Sequence, residues 1–224
     1  TRIKQSQGGF PTLDLTVNEV VANAPADIAL PDAVRTATER VTVDKVADGV
    51  WFIAGGSHNS VAIEMKDYMI LVEAPLNDGR TVPVINEVKK LAPGKPIRYV
   101  VNSHAHFDHS GGLRAAVGEG ATIVTQAQNK AYLERAFATS NTIAPDHLAK
   151  SGKKARIMTV DEKSVLSDGA RTVELHHVAD SNHTDAFLVA YLPKERLLIE
   201  ADSFTPGPPN TPPPAQLNPN NTNL

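Results

Sequence analysis

Short apolar runs, separated by turn residues, dominate the chain from residue 41 onwards. The segments VTVDKV, VWFIAG, SVAIEM and YMILVEA are rich in β-branched and aromatic residues, and DG, GGSHN and KD lie between them. Such runs, bounded by turn signals, predict four β-strands. Residues 81–91, TVPVINEVKKL, instead have apolar positions three and four apart and stop before Pro93-Gly94, which predicts a helix.

Strands and helices continue to alternate in the second half of the pattern. IRYVVN predicts a buried strand, LRAAVG a short helix, ATIVT a strand, and QAQNKAYLERAFA a helix with one apolar face. From residue 155 the chain returns to strand-like runs, the last of which is LLIEAD. This order favours two sheets packed together with helices outside them, an α+β fold class.

The two ends of the chain lack this pattern. Residues 1–40 mix short apolar pieces with prolines and a Gly8-Gly9 pair, and we expect them to form an extended arm. Residues 206–224 are rich in Pro and Asn with little apolar content, which is typical of a loop or a truncated tail. We therefore predict an arm over 1–40, a domain over 41–205 and a tail over 206–224.

Composition limits the partners and the chemistry. A chain of 224 residues with a formal charge of −3 gives no reason to expect nucleic acid or a membrane as a partner, and favours a small-molecule substrate. The chain has no cysteine, so any metal must be held by His, Asp or Glu. No signal peptide is visible, and the composition is compatible with the cytoplasm and with the periplasm or secretion.

The stretch VNSHAHFDHSGGL, residues 101–113, carries the densest candidate chemistry. His104 and His106 are two apart, so in an extended backbone both point the same way and can hold one ion. Asp108 and His109 follow at once and can face a second ion in a turning backbone. Three His and one Asp directly after a buried strand favour a metal loop over a merely solvated turn.

HAHFDH resembles the HxHxDH signature of the metallo-β-lactamase superfamily, whose members fold as a four-layer αββα sandwich with a one- or two-metal site between the sheets. His183-Thr184 resembles the next ligand motif of that family, and Asp202 resembles its metal-bridging carboxylate. The resemblance implies one or two Zn²⁺ ions, with iron or manganese as alternatives. It assigns His104, His106 and His183 to the first ion. It assigns Asp108, His109 and Asp202 to the second.

Two positions depart from the family pattern. Glu73 stands where the family usually has an Asp, whose role is structural. The family's last ligand is a His after a further helix and strand, and no His follows His183 here. We therefore expect this chain to lack the closing C-terminal elements of the sandwich.

The other histidines are weaker candidates. His58 lies in the GGSHNS turn, in a loop that flanks the active site in the family, and is a candidate for substrate binding. His176 and His177 are adjacent in a strand and point to opposite faces, so at least one of them is expected to be structural or solvent-exposed. His147 is expected at the surface, near the start of a helix.

The expected activity is metal-dependent hydrolysis. A coordinated water has its pKa lowered to about 7, which supplies a hydroxide at neutral pH, and Asp108 is the candidate catalytic residue that orients it and shuttles a proton. The expected substrate is an ester, lactone, lactam or thioester. Asp202 makes the chain resemble the lactonase, glyoxalase II and phosphodiesterase branches more than the true β-lactamases, although β-lactamase activity stays open.

Two alternatives remain from the sequence. The chain is either an enzyme or a non-catalytic, metal-binding member of the same fold. A homo-oligomer also stays open, including a swapped dimer in which another chain completes the fold.

Overall fold

The computed structural model describes residues 1–25, 29–37, 39–204 and 212. Residues up to Ala37 form a compact unit of their own. In it, β1 (Arg2–Gln7) and β2 (Phe10–Thr16) pair as an antiparallel hairpin, and α1 spans Asp32–Arg35. The segment expected to be an extended arm therefore contains a hairpin, while the three-part division of the chain stays a prediction. The predicted tail over 206–224 lies outside the described residues, apart from position 212.

The larger unit contains two sheets. The first has seven strands in chain order: β3 (Thr42–Ala47), β4 (Val50–Gly55), β5 (Ser57–Glu64), β6 (Met69–Val72), β7 (Ile97–Val101), β8 (Thr122–Gln126) and β9 (Arg156–Val160). Pairing is antiparallel from β3 to β6 and parallel from β6 to β9. The second is an antiparallel meander: β10 (Lys163–Ser167), β11 (Thr172–His177), β12 (Leu188–Leu192) and β13 (Leu197–Ile199).

Helices connect the parallel strands, as parallel pairing requires. They are α2 (Asp78–Leu91), α3 (Phe107–Ser110), α4 (Leu113–Glu119), α5 (Lys130–Ala138) and α6 (His147–Ser151). The helix expected over 81–91 begins three residues earlier, because Asn77 caps it by accepting a hydrogen bond from the Arg80 backbone N–H. Within the described part of the chain, no helix is long and apolar enough to cross a membrane.

Two apolar cores hold the layers together. One lies between the seven-stranded sheet and helices α2, α4, α5 and α6, and includes Val88, Leu113 and Ile123. The other lies between the two sheets and includes Ile70 and Leu175. The middle strands are apolar on both faces because each face is covered, which explains why MILV in β6 is a continuous apolar run.

Polar contacts join the two sheets at the turns that follow β3, β5 and β10. The Arg171 guanidinium donates to the backbone carbonyls of Gly49 and Glu64, at 3.0 and 2.6 Å. A side chain at position 49 would collide with that guanidinium, since a Cβ there would lie 2.5 Å from Arg171 Nη1. The Asp168 carboxylate accepts from the backbone N–H of Lys66, Ala170 and Arg171.

The contacts of Asp168 make the stability of the fold depend on pH. The backbone donors from Arg171 and Lys66 lower the pKa of Asp168 from its usual 3.8 to about 2. A carboxyl whose pKa is lower in the folded state stabilises the fold above its unfolded-state pKa, and this contribution is lost as the pH falls through the folded-state value. We expect Asp168→Asn to lower the free energy of unfolding by about 1 kcal/mol at pH 7 and by less near pH 3.

Urea unfolding of both proteins at the two pH values measures this difference. Asp67→Asn, in the exposed turn before β6, is the matched control and should change little. A deficit in Asp168→Asn that is equally large at pH 3 would contradict the electrostatic explanation.

Candidate metal centre

The candidate ligands meet at the carboxyl end of β7. His104 and His106 lie in the loop that follows this strand, and Asp108 and His109 lie in the single turn of α3. The loop is fixed from below by the buried Asn102, whose Nδ2 donates to the His104 carbonyl at 2.6 Å. This arrangement follows the general rule that sites in such sheets form outside the carboxyl ends of parallel strands.

Two glycines let this loop pack tightly. A Cβ at Gly111 would lie 2.0 Å from the Leu76 carbonyl oxygen, and one at Gly112 would lie 1.9 Å from the Thr81 hydroxyl. Both glycines have negative φ, so they are needed for space and not for an unusual backbone conformation. The two glycines therefore allow the histidine loop to lie close against residues 74–81.

Three imidazoles form the first cluster, which consists of His104, His106 and His183. The Nε2 atom of His183, in the loop between β11 and β12, lies 3.1 Å from His106 Nδ1 and 3.1 Å from His104 Nε2. A neutral imidazole nitrogen has either one hydrogen or one lone pair, so it cannot make two ordinary hydrogen bonds of this kind. The three nitrogens are close enough together that they could serve as ligands to one cation.

Burial favours the neutral form of His104 and His183. His104 is fully buried, and this burial, together with the neighbouring His109, His106 and His183, lowers its pKa to about 3. Burial also lowers the pKa of His183, although Asp202 opposes the change. The Ser103 hydroxyl lies 2.9 Å from His104 Nδ1, which fixes the ring with Nε2 towards the cluster.

The second cluster is the predicted set Asp108, His109 and Asp202, in which His109 is the shared member: it groups with Asp108 and His58, and with Asp202 and His104. The Asp202 Oδ2 atom lies 3.1 Å from His109 Nε2, while Asp108 Oδ2 is 3.8 Å from the same nitrogen. Asp202 Oδ2 is also 3.2 Å from His183 Nε2, so one carboxylate oxygen contacts both clusters. Asp202, three residues after β13, thus lies between His109 and the imidazoles of the first cluster.

Glu73 determines which nitrogen of His109 faces the centre. Its Oε2 lies 2.5 Å from His109 Nδ1, and its Oε1 accepts the Ser103 backbone N–H at 2.8 Å. Burial alone would lower the pKa of His109, but the Glu73 hydrogen bond and the nearby carboxylates raise it above its ordinary value. Because Nδ1–H is engaged by Glu73, the lone pair of Nε2 points towards Asp108 and Asp202 in the neutral ring.

These donors fit a pair of metal ions. Around a tetrahedral zinc with bonds of about 2.0–2.1 Å to nitrogen, neighbouring ligand atoms lie about 3.3–3.4 Å apart, close to the 3.1 Å separations of the first cluster. His109 Nε2 is buried with no hydrogen-bond partner among the described residues, although two carboxylates are near it. A proton or a metal cation between this nitrogen and the carboxylate oxygens would make the contact favourable.

All six residues proposed as ligands are therefore brought together, and their role in metal binding stays a prediction. His58 lies beside Asp108 in the same region. The remaining histidines lie elsewhere: His147 pairs with Glu119, His176 pairs with Glu174, and His177 contacts the Asp185 carbonyl.

Sequence reasoning treated Glu73 as a structural departure and did not find its contact with His109. A buried carboxylate at the end of a strand next to the histidine loop was the only signal, and it does not identify the partner.

Comparisons with known proteins show which family and which solved structures the chain is similar to. A family model described as the metallo-beta-lactamase superfamily matches residues 53–219. The solved metallo-beta-lactamase from Hirschia baltica is 22% identical, with 75% of this chain and 74% of that chain covered and a TM-score of 0.56. The enzyme from Pontibacter korlensis is 18% identical, with 71% and 70% covered and a TM-score of 0.55. DIM-1 metallo-beta-lactamase is 20% identical, with 72% and 69% covered and a TM-score of 0.54.

No curated protein matches this chain. The likeness to the solved structures confirms the expected α+β sandwich fold.

His106→Ala tests the first cluster. His106 is exposed, so the substitution removes a donor without opening the core. We expect the variant to keep its circular dichroism spectrum and to lose one zinc equivalent, measured by mass spectrometry of the elements after loading and desalting. His176→Ala, on the second sheet, is the control and should retain the metal content of the wild type. Equal zinc in both variants would exclude His106 as a ligand.

Glu73→Gln tests the support of His109. The amide keeps the size of the side chain but removes the negative charge that holds Nδ1–H. Changes to such partners of metal ligands typically cost about 10- to 100-fold in affinity. We therefore expect the affinity for the zinc at His109 to fall about 10- to 100-fold, as measured by competition with a chelator. Glu87→Gln, on the surface of α2, should not change zinc affinity.

Proposed function

Because the chain belongs to the metallo-beta-lactamase superfamily, we propose that it is a hydrolase with two zinc ions, held by the two clusters of the candidate centre. Superfamily membership and the His/Asp clusters support metal-dependent hydrolysis in general. One observation carries the two-ion proposal: Asp202 Oδ2 lies within 3.2 Å of both His109 and His183. A carboxylate in this position can serve two ions at once.

The first ion would be held by His104, His106 and His183, and the second by Asp108, His109 and Asp202. When bound, the ions would lower the pKa of a coordinated water and polarise the oxygen of the bond that is hydrolysed. Histidine and carboxylate ligands also suit iron and manganese, so zinc is part of the proposal.

Asp108 is the proposed proton-transfer group. Burial alone would raise the pKa of Asp108, but its own backbone N–H, the neighbouring His109 and the hydrogen bond from His58 together lower it. Asp108 is therefore ionised at neutral pH and can accept a proton from the attacking water. It can then pass that proton to the leaving group.

A cavity of about 300 Å³ adjoins the second cluster. Its polar lining residues are His58, Asn59, Glu73, His109, Glu200 and Asp202. Its apolar lining residues are Phe52, Val61, Val72, Ile199 and Ala201. A mixed lining of this kind suits a small molecule with one polar reacting group and an apolar remainder. We therefore propose an ester, lactone, lactam or thioester as the substrate.

A substrate panel tests the function. Lactones, a chromogenic cephalosporin, a thioester and a phosphodiester are offered to protein loaded with zinc, iron or manganese. We expect hydrolysis of at least one carbonyl substrate and its loss after treatment with a chelator. A protein that binds zinc tightly but hydrolyses none of these would instead be a non-catalytic metal-binding member, and hydrolysis unaffected by chelators would contradict the proposal.

Asp108→Asn tests the proton-transfer role. Loss of a positioned general acid or base lowers the rate by about 10²–10⁴-fold, and we expect kcat on the best substrate to fall within that range. Zinc content is measured on the same sample, because Asp108 is also a proposed ligand. Asp185→Asn, in the loop before β12, is a control outside both clusters.

A further inference from the structure

His58 contacts the proposed proton-transfer residue directly. It is the second residue of β5, and its Nε2 lies 3.0 Å from Asp108 Oδ2. Its ring also meets the His109 ring edge to face, with centroids 5.1 Å apart. The His58 side chain is 28% exposed, against 41% for Asp108, so the imidazole is the more enclosed partner of the pair.

The hydrogen bond has a defined direction. If His58 Nε2 carries the hydrogen, it donates to the Asp108 carboxylate, and the buried Nδ1 is left as an acceptor without a partner among the described residues. The other tautomer would point a lone pair at the carboxylate and would bury an unsatisfied N–H. The first arrangement has the lower cost, since it gains a charge-assisted hydrogen bond and leaves only a weak acceptor unpaired.

The backbone that carries His58 is itself anchored. The Arg80 side chain, in the first turn of α2, is 4% exposed, and its Nη1 lies 3.5 and 3.4 Å from the carbonyl oxygens of Ser57 and His58. Gly55 leaves the space for it, because a Cβ there would lie 1.5 Å from Arg80 Nη1. The turn between β4 and β5 is therefore built around a buried guanidinium that holds the position of His58.

We propose that His58 is a positioning residue, which donates a hydrogen bond to Asp108 and fixes the orientation of that carboxylate at the second ion. This role rests on the proposed function, and it differs from the substrate contact expected of His58 from the sequence. A free aspartate side chain can rotate about χ1 and χ2, so holding one rotamer lowers the cost of reaching the productive geometry. Arg80 acts indirectly, because it holds the backbone of residues 57 and 58 and so the position of His58.

The test combines kinetics with metal affinity in the full chain. We expect His58→Ala to lower kcat about 10- to 100-fold with KM changed less than about twofold. It should weaken the second zinc by about 10- to 100-fold. His58→Gln, whose amide N–H can still donate to Asp108, should recover most of both losses. His176→Ala is the control, since that ring pairs with Glu174 on the second sheet.

A double-mutant cycle decides whether His58 works through Asp108. In an Asp108→Ala background, His58→Ala should change neither the residual kcat nor zinc affinity, because the group it positions is gone. Three results would overturn the proposal. Additive losses in the double variant would show that His58 acts independently. A rise in KM with unchanged kcat would make it a substrate contact, and complete loss of one zinc would make it a ligand.

The two proposals fail in different ways. If the wild-type protein hydrolyses nothing in the substrate panel, the proposed function fails. The effect of His58→Ala on zinc affinity, alone and with Asp108→Ala, still decides the role of His58. Thermal melting of each variant confirms that it is folded before either measurement.

Discussion

Electron-rich atoms crowd one end of the sandwich, and this crowding needs a positive charge at its centre. Nitrogen atoms of His104 and His106 each lie 3.1 Å from His183 Nε2, and His109 Nε2 faces Asp108 and Asp202. Burial makes protonation costly for His104, whose pKa is held at about 3. Divalent cations would offset the crowding without that cost, and the surrounding fold keeps these groups close together.

The backbone is locally strained where it brings carboxylates to the centre. Glu73 and Asp202 both adopt positive φ, at +70° and +67°, in a region that costs residues with a side chain of the order of 1–3 kcal/mol. Glu73 directly follows β6 and Asp202 comes three residues after β13, and the carboxylate of each contacts an imidazole of the centre. The strained conformations are maintained because the strands on either side are packed into the two cores, so the position of each carboxylate follows from the sheets.

The sequence predicted those parts of the centre that lie close together along the chain. HAHFDH supplies four candidate ligands within six residues, so its geometry depends on one loop. His183 lies 77 residues beyond His106, and Asp202 lies 98 residues beyond His104. Only the family resemblance connected these two residues to that loop. The Glu73–His109 and His58–Asp108 contacts could not be predicted, because they depend on how three separate strand ends line up in space.

The secondary structure shows the same difference between local and distant information. The strands of the seven-stranded sheet were predicted from their apolar runs, and α2 from its spacing. The hairpin of β1 and β2 was interpreted as an extended arm, although Gly8-Gly9 between two strand-like runs is a recognised hairpin signal. The start of the short α6 was expected near His147, which is its first residue, but its extent could not be predicted because five residues give no readable period.

Arg171 joins the two sheets at the end that lies opposite the candidate metal centre. It joins the two sheets through the carbonyls of Gly49 and Glu64, at the end of β5 that lies opposite His58. At the other end, the proposed ligands come from both sides: His104, His106, Asp108 and His109 follow the first sheet, while His183 and Asp202 belong to the second. A protein cation thus joins the two sheets at one end, and metal bound at the other end would join them there as well, so that the supply of metal would influence how firmly the two sheets stay together.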